Sequence, residues 1–206
     1  MNIQKTILSG VLSVLMVAPA WADSDSWELA RSEDGINVYL KTVEGTDFKA
    51  YRGEAIFPVT IAQIQEAQDD VPGSCQWIYN CDSMQIEEVE GKGLVIYSRY
   101  KSLGPVSARD SVVEVTLTEK ADGGLERKLV GQPNLLPEEK GYVRIPELNG
   151  SWQLTPVEGG VQVVYEIQAQ PGGDVPAWVA NKFVVDAPFN TLRALRAHVE
   201  GVSEQP

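Results

Sequence analysis

The chain has 206 residues, with 29 acidic against 17 basic side chains and a formal charge of −12 at pH 7. That acidity opposes nucleic acid and any standing attachment to anionic lipid surfaces, so a membrane encounter is expected to be transient. With two cysteines and one histidine, His198, a metal site would want further ligands; no metal and no cofactor is expected.

Residues 1–22 carry one lysine, an apolar run from Ile7 to Ala18 and a small-x-small site at Ala20-Trp21-Ala22. They read as a secretory signal peptide cleaved after Ala22, with an uncleaved anchor as the alternative. One domain over 23–206, periplasmic or secreted, should follow. Strand signals then dominate to Ala169: INVYLKTV, FKAYRGEAIF, LVIYSRYKSL, DSVVEVTLTE, LERKLVGQ, GSWQLTPV and GVQVVYEIQA, separated by Gly, Pro and Asp turns. The cleanest alternation sets Val161, Val163, Tyr165, Ile167 and Ala169 against Gln162, Glu166 and Gln168, which predicts an antiparallel meander with one buried and one wetted face. One helical interruption, VTIAQIQEAQDDV, places Ile61, Ile64 and Ala67 on an inner stripe and should cap one end of the sheet.

Cys75 and Cys81 flank Trp77 and Tyr79 in an exported chain, which is most simply a disulfide. Closing so short a loop stabilises by about 2 kcal/mol in the chain-entropy model. A redox pair is the alternative, against which the spacing is not CxxC. On LVIYSRYKS, Val95, Tyr97, Arg99 and Lys101 share a face; on GYVRIPEL, Tyr142, Arg144 and Pro146 do. These arginines either face solvent or, if the sheet curls around a cavity, serve as polar hooks for the head of an amphiphilic ligand.

From Pro176 to Gly201 the chain reads as one long amphipathic helix with a broken middle, because Pro188 removes an amide hydrogen and crowds the turn before it. Trp178, Val185, Phe189, Leu192 and Val199 share a bulky face, and Ala180, Ala187 and Ala194 a small one. The small face is expected against the sheet and the bulky face as the wall of an interior space; a fully packed helix in a filled core is the alternative. Asn181, within the apolar arc, is a core amide or a ligand contact.

GPVSARDSVVEV from Gly104 to Val115, the turn into Gly150-Ser151-Trp152, and Pro-Gly-Gly leading to Val175-Pro176-Ala177-Trp178 occur together in one order. This set resembles the START lipid-transfer domain in its secreted bacterial form, over nearly all of residues 25–201. The resemblance implies an α+β helix-grip fold: a curved antiparallel sheet wrapped around a long C-terminal helix, with an internal tunnel that encloses one lipid. It further implies that residues 102–108, with Gly104 and Pro105, form an Ω-loop gate, and that the stretch Trp178 to Leu195 is a movable lid. The missing amide hydrogen of Pro188 makes it the expected hinge, with a static kink that fits the helix to a curved sheet as the alternative. The loop departs from many relatives in having Leu103-Gly104-Pro105 where they carry a Trp-Pro entry.

The tunnel candidates are Tyr97, Arg99, Arg109, Tyr142, Arg144, Trp152, Tyr165, Trp178, Asn181, Val185 and Phe189. For Arg109 and Asp110 the competing reading is structural, pairing with backbone or with each other to fix the loop. The expected function is binding, and transfer, of an amphipathic lipid or other hydrophobic small molecule by a monomer. The alternatives are an enzyme of the related aromatic polyketide cyclase type and a packed domain without ligand. No GxSxG or HExxH constellation supports the enzyme.

Overall fold

The structure, a computed structural model, describes residues 26–201. The signal peptide expected at 1–22 and its cleavage site lie outside the described residues. Ten strands form one sheet: β1 Glu28–Glu33, β2 Ile36–Lys41, β3 Ala50–Phe57, β4 Cys81–Glu87, β5 Leu94–Tyr100, β6 Arg109–Glu119, β7 Leu125–Gly131, β8 Val143–Arg144, β9 Glu147–Val157 and β10 Gly160–Gln170. Three helices, α1 Ile61–Asp69, α2 Ala177–Phe183 and α3 Asp186–Val199, and a 3₁₀ turn at Pro72–Gln76 complete it.

The sheet runs β1-β2-β3-β10-β9-β7-β6-β5-β4. Every pair is antiparallel except the short β8, which lies parallel to β6. The expected meander is present from β4 to β10, and the β3–β10 pair then joins the last strand to the first three. In β10 the predicted alternation is realised: Val161, Val163 and Ile167 are buried while Gln162 and Gln168 are exposed. Strand β1 has almost no buried side chain. The Asp34-Gly35 turn, with both φ positive at 53° and 70°, sets it against β2 instead. Helix α1 begins with a reciprocal capping box between Thr60 and Gln63.

The C-terminal segment grips the sheet as two helices, with the break at Val184 and Val185. Pro188 lies in the first turn of α3, four residues after Val184, and so withholds the N–H that a continuous helix would offer that carbonyl. Helix α3 packs on β2 and β3, where Phe189, Leu192 and Leu195 join Ile36, Val38, Phe57, Leu154 and Val163 in the main core. On α3 the bulky face packs on the sheet rather than along the interior space as expected, while of the small face Ala187 lines the cavity and Ala194 packs against the main core. The cause is Gly53 on β3: a Cβ there would lie 2.6 Å from Leu192 Cδ1 and 3.1 Å from Pro188 Cβ. The sheet, not the helix, supplies the small residue at the closest approach, so the bulky face packs down and Ala187 and Thr191 are left for the interior space. The whole is a helix-grip fold.

Candidate functional site

Between the sheet and α3 lies a cavity of about 300 Å³. Alternate positions of four strands build its apolar wall: Ile96 on β5, Val113 and Val115 on β6, Leu129 on β7, and Leu148 on β9. An aromatic group closes one side. Trp152 and Tyr165, opposite one another on β9 and β10, stack with centroids 3.9 Å apart, and Trp77 meets Trp152 edge-on at 5.9 Å. The Tyr51 and Tyr165 hydroxyls are 3.2 Å apart, and burial first of all raises both their pKa values. The Cys75–Cys81 disulfide is formed and ties the 3₁₀ turn carrying Trp77's segment to the start of β4.

The mouth is framed by residues 102–108. Leu103 and Val106 exchange two backbone hydrogen bonds of 2.9 Å, which folds Gly104 and Pro105 into the loop tip and turns Leu103, Val106 and Ser107 toward the cavity. Arg109 is buried and lines the cavity beside them. Its guanidinium donates to the carbonyls of Ser107, Pro171 (3.0 Å) and Gly172 (3.2 Å), so one side chain joins the mouth loop to the segment leading into α2. No carboxylate pairs with it among the described residues, and desolvation lowers its pKa. Of the two structural readings for this residue, bonding to backbone is the one realised; Asp110 turns the other way.

Residues of α1 and of the 3₁₀ turn also line the cavity, and nearby buried polar atoms have no hydrogen-bond partner: both amide atoms of Gln68, Trp77 Nε1 and Arg127 Nε. Arg127 reaches Asp69, with Nη2 donating to Oδ1 at 2.5 Å. Sequence reasoning missed this group, although signals existed. Arg127 alternates with Leu125 and Leu129 on one strand face, and Gln68 lies four residues after the buried Ile64 of α1. A charged or amide side chain on an otherwise apolar stripe is the pattern to look for.

Only Arg109, Trp152 and Tyr165 of the predicted tunnel residues line the cavity. Tyr97, Arg99, Tyr142 and Arg144 lie on the other side of the sheet, because β5 is phased so that Ile96, Ser98 and Tyr100 point inward. On that side the segment 133–142 straps over the sheet. Arg144 bonds both oxygens of Asp110 at 2.9 Å and the carbonyls of Pro133, Leu136 and Pro137. The Tyr97 hydroxyl sits between Asp110 at 2.8 Å and Glu139 at 2.7 Å, Arg99 pairs with Glu139, and Tyr142 packs its ring 5.7 Å from the Arg99 guanidinium. Burial alone would raise the Asp110 carboxyl, but its bonds to Arg144 and Tyr97 hold it below the ordinary range; bonds from Tyr97 and Arg99 do the same for Glu139.

The helix candidates are displaced by the reversed face. Phe189 is a core residue sealed by the Arg31 guanidinium 3.4 Å above its ring, and Val185 caps α3 against the same core. Asn181 accepts from Lys49 N (3.1 Å) and donates to Asp47 O (3.0 Å), pinning α2 to the loop before β3. Trp178 is 66% exposed, with Lys182 Nζ 4.8 Å over its ring.

A bent antiparallel sheet closed by one helix over an apolar-lined cavity defines a helix-grip domain built to hold a hydrophobic molecule. The START domain family model matches residues 15–205, and the chain belongs to the START domain family. An uncharacterised protein of Pseudomonas aeruginosa, PA1579, is 42% identical over 200 residues, 94% of this chain and 99% of its own. The crystal structure of a STAR-related lipid transfer protein from Xanthomonas axonopodis is 35% identical, with a TM-score of 0.79 over 85% of this chain and 99% of that one. Human StAR-related lipid transfer protein 5, at 19% identity, shares the fold: TM-score 0.76 over 87% of this chain and 88% of its own.

Proposed function

We propose that this protein binds an amphipathic lipid in the cavity between sheet and α3 and carries it between membranes as a soluble, monomeric periplasmic or secreted protein. The observation that carries the reading is a cavity between the sheet and α3 walled by apolar side chains of four strands and by the Trp152–Tyr165 stack, with the buried Arg109 guanidinium at its mouth, an arrangement that suits an amphiphile. Membership of the START family, and the printed name of the relative from Xanthomonas axonopodis, support a lipid as the class of ligand. Burial of an acyl chain is the driving contribution, at about 25 cal/mol per Å² of apolar surface removed from water.

Entry requires the mouth to open. Arg109 holds residues 102–108 to Pro171 and Gly172, so release of its carbonyl bonds frees loop and α2 together, with the break at Val184 and Val185 as the hinge. Membrane contact is transient, in keeping with the acidic net charge. No helix among the described residues is long and apolar enough to cross a membrane.

Native mass spectrometry of protein purified without detergent, followed by solvent extraction, tests the reading. One equivalent of lipid is expected. Repeatedly empty protein that also binds nothing from a broad lipid panel sinks the proposal, and a lipid chemically altered on incubation replaces the carrier with a cyclase-like enzyme.

A further inference from the structure

The apolar wall does not stop where the cavity does. Residues that line the cavity alternate along one face of each strand: Met84 on β4, Ile96 on β5, Val113 and Val115 on β6. The next residues on that face are Ile86 on β4, Leu94 on β5 and Leu117 on β6. Ile86 is paired directly with Ile96, and Leu94 with Val115, so the two sets are cross-strand neighbours. Their exposure differs. Ile96 and Val115 are buried, whereas Ile86 and Leu117 are 53% and 48% exposed and Leu94 is half-buried. The sheet therefore carries its apolar lining out of the cavity and onto open surface.

The size of the cavity says what that surface is for. A volume of about 300 Å³ holds roughly ten methylene-sized groups, at the ~30 Å³ that a water takes in the liquid. Hexadecanoyl and octadecanoyl chains exceed it before any head group is counted. Arg109, at the mouth, lies on the same strand as Leu117 and eight positions before it, roughly 26 Å of strand. A chain whose head stays at the mouth thus runs along the wall toward the exposed face. Isolated apolar side chains on a surface need no explanation, but three in contact with a ligand cavity too small for its ligand form a continuous track.

We infer that the protein takes a lipid whose chain outgrows the cavity, and that the end of the chain leaves it across Ile86, Leu94 and Leu117. The inference rests on the lipid-binding reading and adds chain length to it: short acids lie wholly inside, and long ones continue over an open apolar face. Burial there is one-sided. A methylene enclosed on all sides gains about fourfold in affinity, and one laid on an open face about twofold.

Displacement of a fluorescent fatty acid from the purified protein by decanoate, tetradecanoate and octadecanoate reads this dependence. Affinity should keep rising beyond decanoate, by about twofold for each added methylene. Ile86→Ser combined with Leu117→Ser, both at exposed positions, should weaken octadecanoate about tenfold and leave decanoate within about twofold. A merely structural role would lower all three affinities together. Octadecanoate fluorinated at its terminal carbon should, when bound, give a fluorine NMR signal that a soluble gadolinium chelate broadens. That measurement needs no substitution, so it decides the matter should the variant fail to fold. Affinities that level off beyond decanoate, an octadecanoate affinity untouched by the substitutions, an equal loss for all three acids, or a chain end shielded from the chelate each overturn the inference. So does a dimer of the unsubstituted protein that the variant no longer forms, because a second copy then covers the face. In all of these cases lipid binding itself stands, whereas a protein that retains no lipid and binds none of the three acids removes both readings.

Discussion

Strand β5 divides two buried environments that treat charge in opposite ways. On its outer side Tyr97 and Arg99 meet Asp110, Glu139 and Arg144 in a network where both arginines pair with carboxylates and the segment 133–142 is held down as a strap. On its inner side Ile96, Ser98 and Tyr100 face a mostly apolar space where Arg109 has only carbonyls, Arg127 pairs with Asp69, and the Gln68 amide and the Trp77 indole have no partner. Charge pairing on the outside makes that network a structural fastening. On the inside, the apolar wall is the surface a hydrophobic molecule can cover.

The sharpest way to break this contrast is to remove one member of the outer network. Asp110 and Arg144 side chains are 1% and 5% exposed, so Asp110→Ala leaves a buried guanidinium with carbonyls alone. A loss of about 3–5 kcal/mol is expected in urea denaturation at pH 7. Replacing both, as Asp110→Leu with Arg144→Met, should recover most of it. If the single substitution costs under about 1 kcal/mol, the outer network is not a fastening and the comparison fails.

Acid probes the same network without mutation. Asp110 and Glu139 have folded pKa values below their ordinary ones, so the unfolded chain takes up their protons first as pH falls. Their stabilisation is complete above the ordinary carboxylate range near pH ~4 and is lost as pH drops through the depressed folded values. Denaturation midpoints should be flat from neutral pH down to that range and fall steeply below it, with early loss of hydrogen-exchange protection at 133–142. Asp110→Asn should flatten the acid limb. A midpoint that declines steadily from neutral pH instead would point to titrating groups outside this network.

How much of this contrast the sequence showed depends on where the deciding partner sits. The buried row of β10, the apolar run of β6 and the stripe of α1 are legible because their partners recur at fixed local spacing, and the terminal break is legible because Pro188 acts on its own turn. The phase of β5 is not. Its two faces carry similar mixtures, Val95-Tyr97-Arg99 against Ile96-Ser98-Tyr100, and the carboxylate that draws Arg99 outward, Glu139, is 40 residues away. Helix α3 failed for a related reason: the residue that chooses its sheet-facing side is Gly53, on a strand more than a hundred positions earlier. Strand β4, polar and largely exposed at the sheet edge, had no alternating pattern to read.

The inner surface should respond to substitution in the opposite sense. Gln68→Leu removes two buried polar atoms that have no partner and substitutes apolar surface of similar volume, so the ligand-free protein should gain about 1 kcal/mol in urea while the fold is unchanged. A loss of stability would mean that ordered water or a neighbouring group satisfies the amide in the folded protein. The inner end would then be a finished part of the core.

The smallest expected effect on stability lies at the hinge, where the two environments could be coupled through motion. Pro188→Ala restores an N–H four residues after Val184 and permits α2 and α3 to join, a gain in helix continuity. It also deletes ring carbons from a buried side chain that packs where Gly53 leaves room, a loss of contact that offsets the gain. The net change in unfolding free energy should therefore be under about 1 kcal/mol. The rate is a different matter. If lifting of α2 admits the lipid, a continuous helix must unwind before the mouth opens, and stopped-flow transfer of a fluorescent fatty acid from protein to vesicles should slow several-fold while equilibrium affinity changes little, because the closed cavity keeps its contacts. Arg109→Gln, which loosens the link from the mouth loop to Pro171 and Gly172, should speed the same step. Opposite shifts in the two variants would place the opening motion at the loop and α2. An unchanged rate in a Pro188→Ala protein whose helix is shown to be continuous would leave the break as a fit of helix to curved sheet, with the mouth loop alone as the gate.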